Sequence, residues 1–349
     1  MRLKKNVLLV SFILLCSFAS VWANAQQETG AEPVVSSVVN VYSIWPENWA
    51  TPMFEEFEKE TGIKVNFMRF SSGEALARVI AEKDNPMVDV LFGGPIETFS
   101  AGVHEGVFEA YKPPSWDVLE NRFRDDDCYW TAIADDPLCF MSNTEFLEKN
   151  NLEAPTSWND ILDPAYENMI QFADARTSGT AVTRIFSILE VNDRDEAASF
   201  EYMKALKKNV QVYTKSGGGG TIPVGLGQAG MGIFFIVDAL KTLQVGYDIT
   251  ISFPEEGIGS AAEGIALIKG AKNPLAAKKL IDWATSEKMQ NFYAPYQINF
   301  IPTHPEVETQ EVLVKALESA KRIFPIDSEY SGANRKRIVD TWIDTVLQE

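Results

Sequence analysis

The sequence predicts an α/β protein of two lobes, each a mostly parallel sheet flanked by helices. Three observations predict it. Strand-length apolar segments alternate with helix-length amphipathic segments from residue 38 to residue 104, and a βαβαβα order implies a parallel sheet. A second alternation runs from residue 171 to residue 245. The chain has 349 residues, more than the roughly 250–300 at which a single core stops growing.

Residues 38–43 read as a strand. Thr51-Pro52 opens a helix in the order cap then proline, with Phe54 and Phe57 inward and Gly62 at its end. Residues 63–67 alternate as a strand does. Ser71-Ser72-Gly73-Glu74 has capping-box spacing and starts the next helix. Residues 88–92 form a short strand that stops at Gly93-Gly94-Pro95, and another helix follows. A strand pair between Trp130 and Met141 carries the chain toward the second lobe.

That lobe holds a strand at 171–173 and a helix at 181–190, on which Val182, Ile185, Phe186 and Leu189 form one stripe. A helix at 196–208 and strands at 210–214 and 231–236 follow. Residues 248–253 lead back to the first lobe, which a strand at 264–269 and a helix at 274–293 complete. Helices at 311–324 and 334–347 pack on the second. The expected division is therefore 37–135 with 248–300 for the first lobe, and 136–247 with 301–349 for the second.

The N-terminus reads as a secretory signal peptide over residues 1–25, followed by a mobile leader at 26–36. Arg2, Lys4 and Lys5 precede an apolar run at 7–18, and Ala23-Asn24-Ala25 fits a cleavage site. The run is shorter than the roughly 20 residues of a spanning helix. Lipoprotein processing at Cys16 is the alternative, but Leu15 stands where such signals want a small residue. Cleavage takes Lys+Arg from 31 to 28 against 49 Asp+Glu, a net charge of −21. That field argues against nucleic acid or an anionic membrane as partner. Cys128 and Cys139 remain, spaced for a disulfide across a hairpin in an oxidising compartment; the alternative is two buried thiols.

Further segments carry a resemblance. Phe54-Glu55-Glu56-Phe57-Glu58-Lys59-Glu60-Thr61-Gly62-Ile63-Lys64-Val65 resembles the opening helix, turn and strand of bacterial extracellular solute-binding proteins. Val88-Asp89-Val90-Leu91 with Gly93-Gly94 resembles their next strand and ligand-facing turn. Pro155-Thr156-Ser157-Trp158-Asn159-Asp160-Ile161-Leu162, Phe253-Pro254-Glu255-Glu256-Gly257 and Lys269-Gly270-Ala271-Lys272-Asn273-Pro274 continue the likeness, which covers nearly all of the mature chain. The subgroup resembled is the ferric-iron, sugar-phosphate and phosphonate binders. The resemblance implies the two-lobed (type II) periplasmic-binding-protein fold, with lobes joined by crossover strands and a ligand in the cleft. It also implies a periplasmic monomer that serves the permease subunits of an ABC transporter, with no catalysis and no cofactor.

Two segments read as anion cradles from chemistry alone. Thr177, Ser178, Gly179 and Thr180 place hydroxyls and unpaired backbone N–H groups at a helix start, where the dipole also favours an anion. Ser216, Gly217, Gly218, Gly219, Gly220 and Thr221 allow the close backbone approach that a nest of N–H donors needs. Neither is a Walker A loop, since no Gly-Lys-Ser/Thr follows. The opposite wall is expected from Ser43, Trp45, Gly93 and Gly94, at strand ends where open α/β sheets place ligands. Asp238 and Glu256 are the candidates for ligand hydroxyls.

Other ligand classes stay open. Trp45, Trp49, Asp238 and Glu256 can also make a cation box for a polyamine or thiamine. Ferric iron needs hard anionic oxygens, which the ferric relatives supply partly from two tyrosines. The matching stretch here is Phe234-Phe235-Ile236-Val237, and His104 and His304 make no cluster. No GxSxG, HExxH, CxxC or P-loop pattern points to an enzyme.

Overall fold

A computed structural model describes residues 35–348, so the expected signal peptide and nearly all of the leader lie outside the described residues. The chain opens with β1 (Val38–Ser43), α1 (Glu47–Thr61), β2 (Lys64–Arg69), α2 (Ser72–Ala81), β3 (Val90–Pro95) and α3 (Ile96–His104). β1 pairs in parallel with both β2 and β3, as the alternation predicts. α1 starts a turn earlier than Thr51-Pro52 suggests, behind Pro46, and Pro52 lies inside it. A proline there gives no N–H to the carbonyl four residues back, so the helix lacks that one hydrogen bond. Gly62 ends α1 at φ 72°. Glu74 accepts from the Ser71 N–H and hydroxyl at the start of α2.

After β4 (Phe108–Glu109) comes β5 (Thr131–Asn143), a buried strand of 13 residues. The expected strand pair between Trp130 and Met141 is this one continuous strand. Its first half pairs with β10 up to Pro137, and its second half pairs with β8 from Leu138 onward. Pro137 offers no ladder N–H, which suits the residue at the changeover. The continuous strand also rules out a hairpin disulfide. Cys128 and Cys139 are free thiols, and eight residues of strand at about 3.3 Å each put Cys139 far from Thr131.

The second lobe contains α4 (Thr144–Lys149), β6 (Ile170–Ala173), α5 (Gly179–Val191), α6 (Glu196–Lys207), β7 (Val210–Thr214), α7 (Thr221–Gly225), β8 (Met231–Phe235) and α8 (Ile236–Gln244). β6 is parallel to β7 and β8. β9 (Ile249–Ser252), expected on the way back to the first lobe, instead pairs with residues 140–143 of β5 beside β8. β10 (Ile258–Ile268) then enters the first lobe between β3 and β5, antiparallel to both.

α9 (Pro274–Ala284) and α10 (Glu287–Gln290) replace the single helix expected at 274–293; Ser286 caps the second through the Met289 N–H. The C-terminal segment comprises β11 (Ile301–Pro302), α11 (Glu311–Leu317), β12 (Ile323–Pro325) and α12 (Ser328–Trp342). It is not confined to the second lobe. β11 pairs with residues 134–135 of β5, β12 pairs with residues 258–260 of β10, and α12 packs chiefly on α3. Sheet order is β2-β1-β3-β10-β5-β8-β6-β7, one curled sheet that passes from lobe to lobe through β5. Among the described residues no helix is long and apolar enough to cross a membrane.

Candidate functional site

A cleft of about 520 Å³ lies between the lobes, within the roughly 300–1,000 Å³ of small-molecule sites. Several helices begin on it. Pro46, Asn48 and Trp49 come from the start of α1, Ser71 and Ser72 from α2, and Ser178, Gly179 and Thr180 from α5. The first N–H groups of a helix lack helical acceptors, and the dipole there favours an anion.

Ser216, Gly217, Gly218, Gly219 and Thr221 line the same cleft. A Cβ on Gly217 would stand 2.0 Å from Thr180 Oγ1, and one on Gly218 would stand 2.7 Å from Asp238 Oδ1. The two expected cradles are thus one continuous surface, and glycine is required for their contact. Thr177 is not part of it. Its hydroxyl donates to the Lys215 carbonyl at 2.7 Å, and its own carbonyl accepts the Gly73 N–H at 2.9 Å. It joins the lobes instead.

The first-lobe wall differs from the expectation in detail. Trp45 lines the cleft but is 1% exposed. It stacks on Phe300 with centroids 4.7 Å apart, and its indole N–H donates to Glu263 at 3.0 Å. Gly93 is left-handed at φ 73° and packs under Trp45, where a Cβ would come within 2.4 Å of the ring. Ser43 is buried and donates to the Trp45 carbonyl. Ser43 and Gly93 therefore shape the turn without reaching the cleft. Gly94 does line it, and its N–H donates to Glu263. Glu256 is displaced altogether: it accepts from the Ser157 hydroxyl outside the cleft, and Glu255 pairs with Lys321.

Asp238 sits in the first turn of α8 with its carboxyl on the cleft. Two further acids join it, Asp136 of β5 and Glu263 of β10. Desolvation raises Asp238 to about 7 and Glu263 to about 8, and pushes Asp136 well above the carboxylate range, with Glu263 and Asp238 adding repulsion. Two cations face them, Arg69 at the end of β2 and Lys241 on α8. Neither makes an ion pair or side-chain hydrogen bond among the described residues.

Arg69, Ser72, Asp136, Lys241 and Glu263 were not singled out from sequence. A charged residue inside the apolar run 258–268 is the signal that Glu263 gave, and Asp135-Asp136 inside a buried strand is the other. No three metal-ligating side chains gather on one point among the described residues. Phe235 lines the cleft and Phe234 is buried beneath it.

Residues 52–321 match the bacterial extracellular solute-binding protein family. The chain belongs to that family. It is 30% identical to an uncharacterized protein of Haemophilus influenzae, over 99% of each chain. It is 26% identical to a putative 2-aminoethylphosphonate-binding periplasmic protein of Salmonella typhi, over 78% of this chain and 79% of that one. Among solved structures, the periplasmic binding protein AfuA of Actinobacillus pleuropneumoniae, with exogenous fructose-6-phosphate bound, superposes at a TM-score of 0.83 and 30% identity, covering 90% of this chain and all of that one. The fold is thus the two-lobed one of periplasmic binding proteins.

Proposed function

We propose that this solute-binding protein is the receptor of an ABC importer and that its ligand is a phosphorylated small molecule, either a sugar phosphate such as a hexose phosphate or an organophosphonate. One observation carries the reading: the start of α5, with Ser178 and Thr180, meets Gly217 and Gly218 on one cleft surface. Helix-start N–H groups, glycine-loop N–H groups and two hydroxyls then surround one anionic group. Arg69 and Lys241 add charge in a protein that is otherwise strongly acidic. AfuA, at 30% identity, holds a hexose phosphate.

The rest of the ligand meets Asp136, Asp238 and Glu263. Acids whose pKa values lie near or above 7 keep protons to donate, and each also accepts. They suit hydroxyl groups, which need both. The same three acids are the observation that favours a cationic ligand such as a polyamine or thiamine. Two unpaired cations in the cleft oppose it, as does the neutral bias of the acids. The protein binds its ligand and releases it unchanged.

Thermal melting of the mature protein tests the reading, with fructose-6-phosphate, glucose-6-phosphate, 2-aminoethylphosphonate, spermidine and thiamine in parallel. A ligand that binds only the folded state raises Tm, by about 2.7 kcal/mol of stability at a hundred times Kd. A phosphate ester or phosphonate raises Tm, and Arg69→Ala and Thr180→Ala reduce the shift. A shift with spermidine or thiamine alone refutes the anion reading.

A further inference from the structure

A second groove, of about 600 Å³, runs between α2, α3 and α12. Leu76, Ile80, Val339 and Ile343 give it apolar walls, and Arg335 of α12 lines it. The Arg335 guanidinium has no protein acceptor among the described residues, and its Nε and Nη2 are sealed from water as well. Leaving such donors unmet is costly. The other charged groups around the groove are either paired or exposed. Arg176 forks onto Asp174, Lys336 stands 2.6 Å from Asp340, and His104 and Glu105 are exposed at the end of α3.

The carboxyl that acts on Arg335 is Glu97, at the start of α3. It is fully buried, one oxygen accepts from Thr183 and the other has no partner. Desolvation raises it to about 7, so near neutral pH it offsets the guanidinium only in part. A guanidinium without a protein acceptor therefore borders an apolar groove.

The geometry points to a binding site in this groove for a small carboxylate with an apolar body. The guanidinium nitrogen that is not sealed, Nη1, can make a charge-assisted hydrogen bond to a carboxylate. A single guanidinium without a protein acceptor suits a singly charged ligand better than a phosphate dianion. The inference is independent of what occupies the interlobe cleft. It does bear on the cleft, because α2 begins there at Ser72 and reaches Ile80 in the groove.

Calorimetric titration of the mature protein with octanoate, octan-1-ol and inorganic phosphate tests it. Octanoate is expected to saturate one site at least about tenfold more tightly than octan-1-ol, as a charge-assisted contact requires, and phosphate is expected not to compete. Arg335→Gln should remove that preference and Val339→Trp, which fills the groove, should abolish binding. Gly217→Val, which obstructs the cleft, should leave octanoate binding unchanged. Equal binding of the acid and the alcohol, no saturable heat at about 10 mM, competition by phosphate, or loss of octanoate binding in Gly217→Val would each overturn the proposal. The acid-versus-alcohol comparison uses the native protein, so it decides the matter even if Arg335→Gln fails to fold.

Discussion

Lys215 Nζ lies 2.7 Å from Glu74 Oε1, so the segment leading into the second lobe's glycine loop is tethered to the start of α2 in the first lobe. Thr177 reinforces the tether through its carbonyl and Gly73, and Thr183 through Glu97. All three contacts run along the side of the cleft where α2 and α5 begin. They link the two lobes beside the cleft.

Lys215→Ala is therefore expected to act on binding more than on folding. The pair is solvent-exposed, with side chains 70% and 35% accessible, and such pairs contribute at most about 1 kcal/mol. Ligand release should quicken by about two- to fivefold, read by stopped-flow tryptophan fluorescence. The hydrogen bond from Lys215 holds the Glu74 carboxyl below its usual pKa. The tether thus acts fully above the ordinary carboxyl range and is lost as pH falls through the lowered value. A release rate that is unchanged in Lys215→Ala at neutral pH contradicts this role.

Gly217→Val should eliminate ligand binding while the protein still folds. The new Cβ meets Thr180 Oγ1 at 2.0 Å, and the loop must move out of the cleft to relieve it. Overpacking of this kind costs about 1–3 kcal/mol, which a chain of this size survives. Affinity for any cleft ligand should drop by about a hundredfold or more. Calorimetry checks the binding and circular dichroism the fold.

Glu263→Gln should stabilise the protein at alkaline pH and change little in acid. The folded pKa of Glu263 is raised to about 8 by burial. Below the unfolded value both states are protonated and nothing is lost. As pH rises from about 4 the unfolded chain ionises first, so the folded state is progressively disfavoured until about pH 8. The amide removes that penalty. A gain in Tm of about 2–6 °C at pH 8, absent at pH 4, is expected from melting curves. An equal change at both pH values would mean that packing, not ionisation, governs the site.

Thiol titration of the chain lacking residues 1–25, without reductant, should count two free cysteines once the chain is denatured. In the native state Cys128 is partly accessible and Cys139 is buried in β5. Reaction of Cys128 should come first, and Cys139 should wait on unfolding. Finding no free thiol in the denatured chain would restore the disulfide.

The βα alternation of the first lobe was legible because each segment carries its own period and its own stop, such as Gly62 or the Glu74 capping box. The two loops expected to cradle an anion were legible for the same reason: hydroxyls or glycines between a strand and a helix are a local pattern. Their meeting at Gly217 and Thr180 was not, since it depends on how β6, β7 and β8 bring the loops together. Arg69 and Lys241 look like any surface cation until the fold turns them inward. Trp45 stands on the cleft wall, but its N–H goes to Glu263, over two hundred residues later, a partner that no local pattern announces. β5 misled because a turn was expected where Asp135-Asp136-Pro137 instead passes the strand from one partner to another.

The place of β10 has a consequence for how the chain comes into being. β3 and β5 belong to the first 143 residues, yet the strand between them is residues 258–268. An emerging polypeptide can make β1, β2 and β3 and still lack the neighbour that seals them to β5. The first lobe cannot close until three-quarters of the molecule has been synthesised, so its folding follows synthesis instead of keeping pace with it. Pairings so distant along the chain also form slowly.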